Sequence, residues 1–87
     1  MATLVIEYRV EDYARWKSTF DRDPMGRTAH GVTSYRIQRD AEDPNHLMLS
    51  LEFASSEAAR LFLATLRSVW EISGAEQAWV LEEAEPR

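Results

Sequence analysis

The chain has 87 residues and a mass of 10.0 kDa, with 15 acidic residues against 10 basic ones, a net charge of −5 and no cysteine. That length holds one domain, spanning 1–87, and excludes a two-domain enzyme. The basic residues are scattered, so no positive stripe is available for phosphate and no nucleic-acid partner is expected, while the lack of cysteine removes disulfides and most structural zinc sites.

A chain this short buries a thin core, so self-association is the expected source of added stability. The longest apolar run, Leu61 to Ala64, is far too short to cross a bilayer, and Met1-Ala2-Thr3 shows no leader pattern. A cytoplasmic protein without a membrane partner is expected.

From Thr3 to Val10, the residues Leu4, Ile6, Tyr8 and Val10 alternate with Thr3, Val5, Glu7 and Arg9, the period of a strand with one apolar face. Glu11 or Asp12 can cap a helix that carries Tyr13, Trp16 and Phe20 on one side. This helix should stop before Asp23-Pro24, with Gly26 beyond it. Arg27 to Gly31 reads as a loop.

Alternation resumes over Val32 to Arg39, with Thr33, Tyr35 and Ile37 on one face and Ser34, Arg36 and Gln38 on the other. The turn formers from Asp40 to Asn45 lead into Leu47, Leu49, Leu51 and Phe53, alternating with Met48, Ser50 and Glu52. An antiparallel hairpin follows from that arrangement.

Ser55 is placed to cap a second helix, with Glu57 in its first turn and a stripe of Ala58, Leu61, Phe62, Thr65, Leu66 and Val69. A break is expected near Arg67-Ser68, and Gly74 can end the segment in a left-handed conformation. Gln77 to Glu82 forms the last strand, and 83–87 reads as a frayed tail.

The predicted class is α+β, a ferredoxin-like βαββαβ arrangement: a four-stranded antiparallel sheet with its first and third strands central and both helices on one face. On the uncovered face the reading places Val5, Met48, Ala78 and Val80 among Glu7, Arg36, Ser50 and Glu52, and turns Trp79 inward. Two such faces packed together would hide the apolar members, which predicts a homodimer.

The run from Val10 to Lys17 with Phe20-Asp21, the Asp43-Pro44-Asn45-His46 entry into a strand, and the run from Glu52 to Arg60 together resemble the dimeric α/β barrel superfamily. Within it the chain is similar to small proteins related to the antibiotic biosynthesis monooxygenases. The resemblance implies a homodimer with its two sheets facing each other and a ligand pocket in each subunit between sheet and helices. It also implies cofactor-independent oxidation of aromatic compounds, haem degradation, or isomerisation or decarboxylation of small cyclic compounds. Haem degradation is disfavoured here. The first strand carries Glu7 and Tyr8 where that branch has an Asn, Phe62 stands near its Trp, and no His occurs between Ser55 and Ser73.

The candidate pocket is lined by Tyr8, Trp16, Tyr35, Phe62 and Trp70, with Trp70 stacking on a flat ligand. Tyr35 or His46 would orient a hydroxyl or move a proton. Each has a plainer reading: Trp16 and Trp79 as core, the tyrosines as buried side chains with one satisfied hydroxyl, and His46 and His30 as turn or surface residues. No metal site and no cofactor are expected, since no glycine-rich phosphate loop is present and the two histidines have no ligand partner nearby in sequence. The alternative from another class is a non-catalytic binding or assembly module with no pocket of useful size.

Overall fold

The structure, a computed structural model, describes residues 1–23 and 26–84. Its elements run β1 (Ala2–Arg9), α1 (Tyr13–Asp21), β2 (Val32–Asp40), β3 (Asp43–Phe53), α2 (Ser56–Arg67), α3 (Trp70–Ser73) and β4 (Ala75–Glu82). The strands form one antiparallel sheet in the order β2-β3-β1-β4, with β1 and β3 central. This is the expected ferredoxin-like arrangement, with the helices on one face. Among the described residues no helix is long and apolar enough to cross a membrane.

Alternation in the two central strands decides which face carries the core. Leu4 pairs with Leu51, Ile6 with Leu49 and Tyr8 with Leu47, so six large side chains point to the same side. All six are buried, as are Ala2 and Phe53 at the same end of the pair. Burying such side chains contributes about 1.5–3 kcal/mol each, and the helices are what cover them.

The starts of α1 and α2 are capped as the sequence implies. The Asp12 carboxylate accepts from the amides of Ala14 at 2.9 Å and Arg15 at 3.4 Å, and the Ser55 hydroxyl accepts from the Ala58 amide at 3.2 Å. These bonds satisfy amides that have no partner inside the helix. The β2–β3 turn is closed by Asp40, whose side chain accepts from the Glu42 amide at 2.9 Å. α1 ends at Asp21, while Pro24 of the expected stop signal lies outside the described residues. Glu83 and Ala84 follow β4 without strand pairing, and the rest of the expected tail lies outside them too.

α2 rests on the sheet through Ala59, Phe62 and Leu66, its three buried residues. This narrows the expected stripe: Leu61 is 63% exposed, because contact centred on Phe62 leaves its neighbour a full 100° around the helix. The expected break is present, with α2 ending at Arg67 and α3 beginning at Trp70. Gly74 then leaves the helix at φ +84°, and its carbonyl accepts from the Arg9 amide at 3.0 Å.

That exit fixes the phase of β4, and the phase is opposite to the one expected. Val80 pairs with Leu4 and Ala78 with Ile6, so both small residues point under the helices and pack against the core. Trp79 pairs with Val5 and Leu81 with Thr3, which places them on the uncovered face, 41% and 50% exposed. Alternation fixes the period of a strand but not its phase, and side-chain size favoured the wrong one. The uncovered face therefore carries Val5, Met48, Trp79 and Leu81 as its apolar members.

Candidate functional site

A cavity of about 720 Å³ lies on the helix side of the sheet, floored by Ile6, Tyr8, Leu49 and Leu51 and walled by α1 on one side and α2 and α3 on the other. The size is within the range of about 300–1,000 Å³ usual for small-molecule sites. An aromatic ladder builds the α1 wall. Tyr8 and Trp16 have ring centroids 5.2 Å apart, and Trp16 stacks on Phe20 at 5.2 Å with an interplanar angle of 18°. Phe20 in turn meets Tyr35 edge-on at 5.1 Å.

The ladder follows from the spacing of Tyr13, Trp16 and Phe20 on α1, which brings all three rings to the side facing the sheet. At the helix start, the Arg39 guanidinium lies 4.3 Å from the Tyr13 ring centre. The same turn is tied to β3 by Asn45, whose side chain accepts from the Tyr13 amide at 2.8 Å and donates to the Glu11 carbonyl at 3.2 Å.

Of the residues expected to line the pocket, Tyr8, Trp16 and Phe62 do so, and Tyr35 and Trp70 are outside the lining. Tyr35 is 49% exposed beyond Phe20 on the sheet edge. Trp70 packs half-buried against the core, with the Arg67 guanidinium 5.2 Å from its ring centre. His46 is on the other face of the sheet, on the side of Glu7 and Met48, so the structure does not bring His46 and Tyr35 together.

One lining residue had no sequence signal. Arg27 belongs to a stretch that reads only as loop, yet its side chain is largely buried and pairs with Asp23 at 3.5 Å. It also donates to the Phe20 carbonyl at 2.6 Å and lies 3.7 Å over the Phe20 ring centre. Cation–ring contact and a charge-assisted hydrogen bond together explain why this guanidinium tolerates burial.

The electrostatics of the two faces differ. In the cavity, burial alone pushes the Tyr8 phenol up to about 12, so this group stays protonated at neutral pH. On the uncovered face, His46 Nε2 is 2.7 Å from Glu7 Oε2 and Nδ1 is 3.2 Å from Asp40 Oδ2. Hydrogen bonding to Glu7, then to Asp40, raises the imidazole above its ordinary value. Asp40 is held below its ordinary value by the Glu42 amide first and by His46 second. Among the described residues no group of three His, Cys, Asp or Glu side chains is placed to hold a metal ion.

The arrangement of strands and helices has counterparts among solved structures. SnoaB, a cofactor-independent oxygenase from Streptomyces nogalater, superposes with a TM-score of 0.72 and 15% identity, over 98% of this chain and 94% of that one. An antibiotic biosynthesis monooxygenase matches with a TM-score of 0.66 and 14% identity, over 99% of this chain and 100% of that one. A proposed antibiotic biosynthesis monooxygenase from Deinococcus radiodurans matches with a TM-score of 0.67 and 11% identity, over 100% and 95%. The chain shares their fold. No protein-family model matches the sequence, and no curated protein does either. At this identity the shared fold carries no catalytic residue across.

Proposed function

We propose that this chain is a small-molecule-binding homodimer that acts as a cofactor-independent monooxygenase on a small aromatic or cyclic metabolite. The observation that carries this reading is the cavity of about 720 Å³ with Tyr8, Trp16, Phe20 and Phe62 on its surface. Flat rings stack well on such walls, and the volume speaks against a module without a useful pocket. Among the solved structures of the same fold, SnoaB is a cofactor-independent oxygenase, which supports the reaction type.

In that chemistry an activated ring methylene gives up electrons to dioxygen. One oxygen atom becomes the new carbonyl and the other leaves as water. The protein's part is to hold the ring, exclude bulk water and orient the reacting carbon. Dimerisation through the uncovered sheet face is part of the reading, because Trp79 and Leu81 stand half-exposed there beside Val5 and Met48.

The test is incubation of pure protein with anthrone-type and catechol-type compounds, with and without oxygen. Oxygen-dependent turnover of at least one class is expected. Binding without turnover would leave a ligand-binding protein, and neither binding nor turnover would overturn the reading. Tyr35→Phe and His46→Gln check the two residues read from sequence as proton carriers. Their position outside the cavity lining predicts turnover unchanged in both.

A further inference from the structure

The cavity is apolar except at its rim and at one point on its floor. Most of the polar side chains that reach it are already committed. Arg27 is engaged by the Phe20 carbonyl and Asp23, Asp12 by the amides it caps, and Ser73 by the Trp70 carbonyl and the Ala75 amide. Glu11, Arg15, Thr19 and Glu71 are exposed at the rim, where water satisfies them.

Tyr8 is different. It is 6% exposed, yet no described residue hydrogen-bonds its hydroxyl. Every described side-chain nitrogen or oxygen that is fully sealed off has a hydrogen-bond partner, so this hydroxyl is not sealed off, and the cavity is the space that Tyr8 lines. Its backbone is pinned on both sides, opposite Leu47 of β3 and Ala75 of β4. The ring is braced by Trp16.

We infer that the Tyr8 hydroxyl is the hydrogen-bond donor that selects and orients an oxygen-bearing aromatic ligand, binding a ketone or phenolate oxygen held against the Trp16 wall. The inference rests on the reading of the cavity as a ligand site and names what that site recognises. A hydrocarbon of the same shape fills the same walls but leaves the phenol without a partner, and a buried polar group left unpaired weakens binding. The phenol remains protonated at neutral pH, so it donates and does not act as a base. Tyr8 is thereby a positioning and specificity residue.

The experiment compares 9-fluorenone with fluorene, two flat tricyclic probes that differ by one carbonyl oxygen, binding to the full chain and to Tyr8→Phe. The intact chain is expected to bind fluorenone more tightly than fluorene. Tyr8→Phe should lower fluorenone affinity about fivefold and leave fluorene within twofold, since one neutral hydrogen bond is at stake. The carbonyl stretch of bound fluorenone should lie at lower frequency in the intact chain and return to its apolar-solvent value in the variant.

Equal losses for both probes, or no loss for either, would overturn the inference while leaving the cavity reading in place. Failure of both probes to bind the intact chain would overturn both. If Tyr8→Phe does not fold, the stretch in the intact chain decides alone, and an unshifted band overturns the inference.

Discussion

Val5 and Trp79 face each other across the β1–β4 ladder, so the largest side chain of the last strand stands on the face that no helix covers. Val5 is half-buried there and Trp79 is exposed, with Leu81 one step along on the same side. Apolar surface of this kind gains by being removed from water, and large aromatic rings at the centre of an interface carry much of its energy. Trp79→Glu should therefore turn a dimer into a monomer at micromolar concentration, raising the dimer dissociation constant by about 30-fold or more. Light scattering after size exclusion reads the outcome. An intact chain that elutes as a monomer would contradict the proposed assembly outright.

The same face carries His46 between two carboxylates, Glu7 at 2.7 Å and Asp40 at 3.2 Å. Because the folded-state value of the imidazole is raised, the protonated ring is the form the fold favours. Its stabilising contribution is fully present below the ordinary value of 6.5 and is lost as pH rises through the higher folded value. For Asp40 the sign reverses: its contribution is present above 3.8 and is lost as pH falls through its lowered value. Imidazole resonances followed by NMR should titrate late in the intact chain, and Glu7→Gln should move His46 back toward 6.5. A His46 that titrates identically in both would show that the Glu7 contact does not form in solution.

What could be read from the sequence was what depends on local periodicity. The alternation of Leu4, Ile6 and Tyr8 and of Leu47, Leu49 and Leu51 gave both central strands and the face they bury, and Asp12, Ser55 and Gly74 marked helix ends that the structure confirms. The phase of β4 was not legible, because it is set by the hydrogen bond from the Arg9 amide to the Gly74 carbonyl, between residues far apart in the chain. The same limit applies to His46. Its partners are six and 39 residues away, so no spacing rule could have found them. Three of the five pocket residues were legible because they lie on the core-facing side of their elements, whereas Arg27 reaches the cavity only through the fold of its loop.

Asn45 joins the start of α1 to the start of β3 with one side chain, accepting from the Tyr13 amide at 2.8 Å and donating to the Glu11 carbonyl at 3.2 Å. Asn45→Ala removes both bonds and leaves an amide at the helix start without its side-chain acceptor. A loss of about 1–2 kcal/mol of stability is expected, with an unchanged denaturant slope. Asn45→Asp keeps the acceptor and loses only the donor, so it should fall between the two. Urea unfolding of the three proteins ranks them. Equal stability of Asn45→Ala and the intact chain would show that water replaces the bridge without cost.

Gly74 holds φ +84° where α3 turns into β4, and a Cβ built there would come within 3.1 Å of the Arg9 carbonyl oxygen and 3.2 Å of Val10 Cγ1. The backbone oxygen cannot swing away as a flexible side chain could. Gly74→Ala should therefore combine left-handed strain with a close contact, costing about 1–3 kcal/mol. The cost should also reach the cavity, because the Gly74 carbonyl accepts from the amide of Arg9, the residue after Tyr8, and Gly74 itself lines the space. Thermal unfolding measures the stability, and titration of 9-fluorenone measures the site. A variant that melts earlier and also binds the probe more weakly is the expected result, whereas a variant as stable as the intact chain would show that the strand end yields without strain.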